Sequence, residues 1–192
     1  MIDTIRRTVS ESLQLKSSFF TANEGQIAAL ARETCQGLER GRKILLFGNG
    51  GSAADAQHIA AEFVGRFRLE RRPLAAIALT TDTSILTSVS NDYGYEQVFA
   101  RQVRALGRSG DISIAISTSG NSPSVLLAAA AAQEIAMVTV ALTGNDGGKL
   151  GGMVRYHLNV PHPSAARVQE IHIMIGHILC ELVDEYFKGP QA

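Results

Sequence analysis

Apolar residues recur along this chain with two different periods, and the change from one to the other divides it. Ile2, Ile5, Val9 and Leu13 fall at helical spacing, and Ile27, Leu30, Ala31, Thr34 and Leu38 resume it after the Asn23-Glu24-Gly25 interruption. The pattern predicts two amphipathic helices, an N-terminal helical hairpin over residues 1–41. Beyond it the apolar residues gather into short runs, with strands expected near Lys43–Phe47, Ala75–Leu79, Ile112–Ile116, Met137–Leu142 and Tyr156–Val160. Helical segments are expected after the Gly-rich turn at residues 48–51, near Thr83–Ser90, near Ser122–Gln133 and from about Ala165 to Phe187. Strands of four to six apolar residues alternating with helices argue for a parallel sheet covered on both faces.

A length of 192 residues suits one domain, here 1–192, with residues 1–41 as a helical extension. The apolar stripes of that extension need cover, which such a hairpin often finds in a neighbouring subunit. Eighteen basic and eighteen acidic side chains cancel, so the overall balance does not point to nucleic acid. The densest basic cluster, Arg66, Arg68, Arg71 and Arg72, is interrupted by Glu70 and reads as a solvated helix end and linker. Cys35 and Cys180 are too few and too far apart for a disulfide framework, and read as reduced core thiols of a cytosolic protein. The first residues lack the apolar core of a signal peptide, and no apolar run approaches a membrane span. A cytoplasmic protein with no membrane partner is the expectation.

Candidate chemistry lies in the loops that follow the strands, where open parallel sheets bind ligands. Gly48 to Glu62, GNGGSAADAQHIAAE, is a strand end, a Gly-rich turn and a helix start, a layout that presents unpartnered backbone N–H groups to an anion such as phosphate. It has neither GxxxxGK[ST] nor GxGxxG, which disfavours a nucleotide. His58 and Glu62 project from one face of that helix, four residues apart. After the third strand, Ser117-Thr118-Ser119-Gly120-Asn121-Ser122-Pro123 offers hydroxyls and amides without formal charge, with Ser122 placed to cap a helix and Pro123 suited to its first position.

Asn91-Asp92 fits hydrogen bonds to sugar hydroxyls and an Asx turn equally well. The loop Thr143 to Gly148 has the same position after its strand but reads as turn chemistry, outside the site. On the last helix, Gln169, His172 and His177 each read more readily as satisfied core residues of an apolar helix than as functional ones.

Taken together, GNGGSAADAQHIAAE, SNDYGYE, STSGNS, ALTGNDGGKL and RVQEIHIMIGHIL resemble the phosphoheptose isomerases, sedoheptulose 7-phosphate isomerases of the SIS (sugar isomerase) fold. The resemblance spans nearly the whole chain. It implies an α/β fold, a three-layer α-β-α sandwich around a five-stranded parallel sheet, and a homotetramer with active sites where subunits meet. Ser52, Ser117, Thr118, Ser119 and Ser122 would hold the sugar phosphate, with Asn49, Gly50, Gly51, Asn91, Asp92, Glu62 and Gln169 also at the ligand. His58, Glu62, Gln169 and His177 would be zinc ligands, and Glu62 and His177 the acid/base pair.

The implied reaction is an enediol isomerisation giving D-glycero-D-manno-heptose 7-phosphate, the first step toward ADP- or GDP-heptose precursors and lipopolysaccharide. Glu62 is assigned as the carbon base and His177 as the group that moves the oxygen proton, with the reverse assignment open. Gln169 and His177 stand eight residues apart, roughly 12 Å along a helix, so sharing one ion requires both side chains to lean inward or different subunits to contribute. A close relative of this family, the factor that associates with the bacterial replication initiator, keeps the phosphosugar fold while lacking the Glu and His. A non-catalytic phosphosugar-binding protein of that kind is the alternative.

Overall fold

The computed structural model describes residues 1–188, so the last four positions of the expected domain lie outside the described residues. Five parallel strands form one sheet in the order β2-β1-β3-β4-β5. They are β1 (Ile44–Gly48), β2 (Ala76–Ala78), β3 (Ile112–Ser117), β4 (Val138–Gly144) and β5 (Tyr156–Val160). Helices α1 (Ile2–Glu39), α2 (Gly51–Val64), α3 (Thr83–Tyr93), α4 (Val98–Leu106), α5 (Pro123–Glu134), α6 (Gly148–Gly151) and α7 (Ala165–Phe187) complete the chain.

Strand periodicity explains the layers. Ile44 and Leu46, Ile112, Ile114 and Ile116, and Val140 and Leu142 point to one side, where they pack with Leu30, Leu38, Ile59, Phe63, Ile175 and Leu179 of α1, α2 and α7. The alternate residues Leu45, Phe47, Ala115 and Ala141 point to the other, against Val98, Phe99 and Val103 of α4 and the alanines of α5. Both faces of β1 and β3 are thus buried, which is why these strands read as mostly apolar runs. The strand order reverses between β1 and β3, so the crevice beyond their carboxyl ends is the expected ligand position.

Two expectations are corrected. The N-terminal hairpin is a single helix of 38 residues, roughly 57 Å long, that runs straight through Asn23-Glu24-Gly25. A glycine inside a helix costs only about 1 kcal/mol relative to alanine. Here Phe19 and Ile27, both buried, anchor the helix on either side of it, and the Asn23 amide bonds the Phe19 carbonyl. The second correction is α4, which the pattern did not predict. Its buried face includes Gln102, whose amide nitrogen donates to the carbonyls of Leu79 and Val98, so a polar residue interrupts the apolar signal while its donors are paired inside.

The two halves of α1 differ in environment. Its C-terminal half buries Ile27, Leu30, Ala31, Cys35 and Leu38 in the core. In the first four turns Ile2, Ile5, Val9 and Leu13 remain 64, 63, 50 and 62% exposed, an apolar stripe with no cover among the described residues. No helix among the described residues is long and apolar enough to cross a membrane.

Candidate active site

The switch point is built by two loops that leave adjacent strands. Gly48 ends β1, and a side chain there would meet the Ile116 carbonyl at 2.7 Å, so only glycine lets the two strand ends lie this close. Gly50 then turns the chain with φ +55° into α2. Asn49, Ser52, Ile116, Ser117, Thr118, Ser119 and Ser122 line a pocket of about 160 Å³ between the loops. None of these side chains carries a formal charge.

Ser122 stands at the N-cap of α5 with Pro123 behind it, as the spacing predicted, yet its hydroxyl makes no capping bond. It instead accepts from the Asn49 amide at 2.8 Å. The N-terminus of α2 also lacks a side-chain cap. Two helix starts with their positive dipole ends therefore face one small pocket rimmed by serine and threonine hydroxyls, an arrangement suited to an anion.

The Thr143–Gly148 loop stays outside this pocket and supports it from beneath. A side chain at Gly120 would fall 2.1 Å from the Gly147 carbonyl oxygen, and the Lys149 backbone N–H donates to the Asn121 side chain. Asn91 and Asp92 lie on the last turn of α3, exposed and bonded to each other at 2.8 Å, and neither lines the pocket in this chain.

Titratable groups gather farther along α2. The Nε2 atoms of His58 and His177 meet at 2.9 Å, although the residues are 119 positions apart in sequence. Glu62 is 3.5 Å from His58. The ring of Phe67 stacks on His177 with centroids 5.4 Å apart. Asp55, one turn before His58, has a buried carboxylate oxygen without a partner, and burial raises its pKa against the opposing pull of His58. His172, by contrast, is a core residue. It donates from Nε2 to the Thr143 carbonyl at 2.9 Å, and burial lowers its pKa to about 4, so it is neutral at physiological pH.

Beneath this cluster sits an ion pair that inverts the expectation for the basic stretch. Arg71, read as one of four solvated arginines, is buried, and its Nε donates to Asp184 of α7 at 2.8 Å. Its remaining N–H groups donate to the carbonyls of Glu62, Phe63, Gly65 and Arg72. Asp184 also accepts from the backbone N–H of Arg68 and Leu69. Burial pushes its carboxyl pKa up, but the Leu69 and Arg68 N–H groups and Arg71 together pull it below the ordinary range. The clip fastens the end of α2, which carries Glu62, to α7, which carries His177, and to the loop that carries Phe67.

Two imidazoles and a carboxylate are ordinary zinc donors, so the donor chemistry fits that ion. Two zinc-bound nitrogens stand about 3.3 Å apart for tetrahedral bonds of about 2.05 Å, so the histidine pair needs only a small adjustment. Among the described residues, no three His, Cys, Asp or Glu side chains are already gathered as an ion site. Gln169 lies elsewhere, its amide packed where a side chain on Gly51 would be, at the pocket end of α2 and eleven residues from Glu62. The structure thus brings His58, Glu62 and His177 together and places Gln169 beside the Gly-rich turn.

Sequence reading missed Phe67, Arg71, Asp184, Tyr95 and Ser124 at this site. The Tyr95 hydroxyl donates to Asn49 at 2.7 Å, and the buried Ser124 accepts from the same amide at 3.0 Å. Ser124 and Tyr95 sit within motifs that were recognised, STSGNS plus two residues and SNDYGYE, so position was the available signal.

Comparison with known proteins agrees with this fold. The SIS domain model matches residues 9–144. A phosphoheptose isomerase from Nitratidesulfovibrio vulgaris (strain Miyazaki F) is 52% identical over 190 residues, covering 97% of this chain and 91% of the relative. One from Aquifex aeolicus is 51% identical, covering 96% and 97%. The solved phosphoheptose isomerase of Neisseria gonorrhoeae superposes with a TM-score of 0.90 at 47% identity, over 95% of this chain and 98% of that one. The chain belongs to the SIS domain family and, within it, to the phosphoheptose isomerases.

Proposed function

We propose that this enzyme converts sedoheptulose 7-phosphate to D-glycero-D-manno-heptose 7-phosphate through an enediolate, supplying precursors of nucleotide-activated heptose. The observation that carries the reading is the pairing of a charge-free hydroxyl pocket with a separate cluster of Glu62, His58 and His177. The pocket takes the phosphate. Glu62 removes a proton from carbon 1 of the ketose, and His177 moves a proton from the oxygen on carbon 1 to the oxygen on carbon 2. Glu62 then returns its proton to carbon 2, so the carbonyl has moved and no group is gained or lost. A glutamate in water is a weak base at neutral pH, so a neighbouring cation or a dry setting strengthens it for this task.

His58, Glu62 and His177 would hold a zinc ion, while Gln169, at the pocket end of α2, lies too far along that helix in this chain to join them. Bound there, zinc would polarise the carbonyl and stabilise the enediolate. Elemental analysis with chelation tests this: activity and bound zinc should fall together and return together, and full activity in metal-free protein would remove zinc from the reaction.

Glu62 lies ten residues beyond Ser52, roughly 15 Å along α2, which strains the reach of one sugar phosphate within a single subunit. Completing the site with a neighbouring chain relieves that strain. The uncovered stripe Ile2, Ile5, Val9 and Leu13 supports the same assembly, a homotetramer with sites at its interfaces. Light scattering that found an active monomer at micromolar concentration would overturn it. Two buried free thiols, Cys35 and Cys180, support a cytoplasmic location.

The direct test of function is an assay comparing sedoheptulose 7-phosphate with fructose 6-phosphate, run beside exchange of the carbon-bound proton in deuterated water. Isomerisation of the seven-carbon sugar with exchange is expected. Binding of sugar phosphates without either reaction would make this a binding protein.

A further inference from the structure

A hydroxyl holds a phosphate oxygen only if its proton points at the ligand, and one tyrosine outside the pocket bears on where those protons point. The Asn49 side chain makes three hydrogen bonds. Its amide nitrogen reaches the hydroxyl oxygens of Ser122 at 2.8 Å and Ser124 at 3.0 Å, and its carbonyl oxygen lies 2.7 Å from the Tyr95 hydroxyl. In this orientation both serines accept from Asn49. Apart from a long 3.4 Å contact with the Ser124 hydroxyl, the Ser122 proton is then free to turn into the pocket that Ser122 and Asn49 line.

The reversed amide would satisfy the same atoms differently. Its carbonyl oxygen would draw the two serine protons, and Ser122 would present lone pairs to an anion. What separates the two orientations is the group at the far end. A phenol is more acidic than an alkyl hydroxyl and is the stronger donor, so the Tyr95 hydroxyl holds the carbonyl end of Asn49 to itself.

We propose that Tyr95 is a positioning residue that fixes the direction of hydrogen bonding through Asn49 and so reserves the Ser122 proton for the phosphate of the substrate. The proposal rests on the reading of this pocket as the phosphate site. Tyr95 does not itself line the pocket, and its side chain is half exposed. Its ring stands edge-on to the buried Phe99 at 6.5 Å, a contact that phenylalanine would keep. Tyr95→Phe therefore removes the donor and little else.

The experiment is a double-mutant cycle of Tyr95→Phe and Ser122→Ala, read as KM and kcat for sedoheptulose 7-phosphate and as inhibition by inorganic phosphate. Tyr95→Phe is expected to raise KM and the phosphate inhibition constant about three- to tenfold while leaving kcat within about twofold. Ser122→Ala should raise both constants, and adding Tyr95→Phe to it should change them by less than about twofold, because the hydroxyl through which Tyr95 acts is gone. Equal effects of Tyr95→Phe in both backgrounds would overturn the proposal, as would a fall in kcat at constant KM. If Ser122→Ala weakens phosphate binding and Tyr95→Phe does not, the pocket assignment stands and the role of Tyr95 falls. If Ser122→Ala changes neither constant, both fall.

Discussion

The two ends of the site solve opposite problems with different materials. At the pocket end, seven uncharged residues and two helix starts face a space of about 160 Å³, and the hydroxyl rim comes mostly from the six consecutive residues Ser117 to Ser122. At the other end, Glu62, His58 and His177 are titratable, come from two helices far apart in sequence, and are tied down by the buried Arg71–Asp184 pair. An anion held by dipoles and neutral donors needs no protonation change, so a short loop suffices. Proton transfer, the role proposed for this end, needs groups that gain and lose charge at fixed separation, and a buried ion pair fixes the helices that would carry them.

The strongest break of this contrast is Glu62→Gln. It should lower kcat by about a hundredfold to ten-thousandfold and stop proton exchange at the sugar carbon, with KM changing little because the pocket end is untouched. His177→Asn should behave alike, and the double variant should be little worse than either single one, as steady-state kinetics would show.

Removing one partner of the buried clip should cost about 3 to 5 kcal/mol in urea unfolding, because Arg71→Met leaves Asp184 charged and buried. Arg71→Met with Asp184→Leu should recover much of that stability. If the clip positions the acid/base cluster, the recovered protein should still show reduced kcat with near-normal KM; normal kcat would make the pair structural only.

Behind the neutral pocket, His172 provides a hidden pH dependence. Its folded pKa of about 4 lies below its ordinary value of 6.5. Between those values the unfolded chain binds more protons than the folded one, so this contribution to stability is complete above about pH 6.5 and falls as the pH drops toward 4. About 2 kcal/mol should be lost from pH 7 to pH 5. Unfolding curves of His172→Asn should show a correspondingly flatter slope over that range, whatever its stability at pH 7.

The smallest expected effect sharpens the pocket end. Ser119→Ala should weaken binding of the phosphorylated sugar about tenfold or more and leave the unphosphorylated sugar nearly unchanged, since a hydrogen bond to a charged group is worth about 1.5 to 3 kcal/mol. Calorimetry with the two ligands checks it, and equal losses would move the phosphate out of this loop.

Sequence alone determined whatever depends on neighbours along the chain. The central strands β1 and β3 are mostly apolar because both their faces are buried, and β5 and α7 lie where the pattern put them. The pocket loops were legible because glycines and hydroxyl residues follow strand ends, and the shared face of His58 and Glu62 follows from helical geometry. Tertiary structure decided the rest. Local composition placed a break at Gly25, but burial of Phe19 and Ile27 on both sides outweighs the weak preference of one glycine. Arg71 looks like its three neighbouring arginines in sequence, and only Asp184, 113 residues away, makes it a buried anchor. The meeting of His58 with His177, the stacking of Phe67 and the bond from Tyr95 to Asn49 likewise join distant segments. Those contacts are selected by packing of whole helices against the sheet, a free energy summed over the fold that no local spacing encodes.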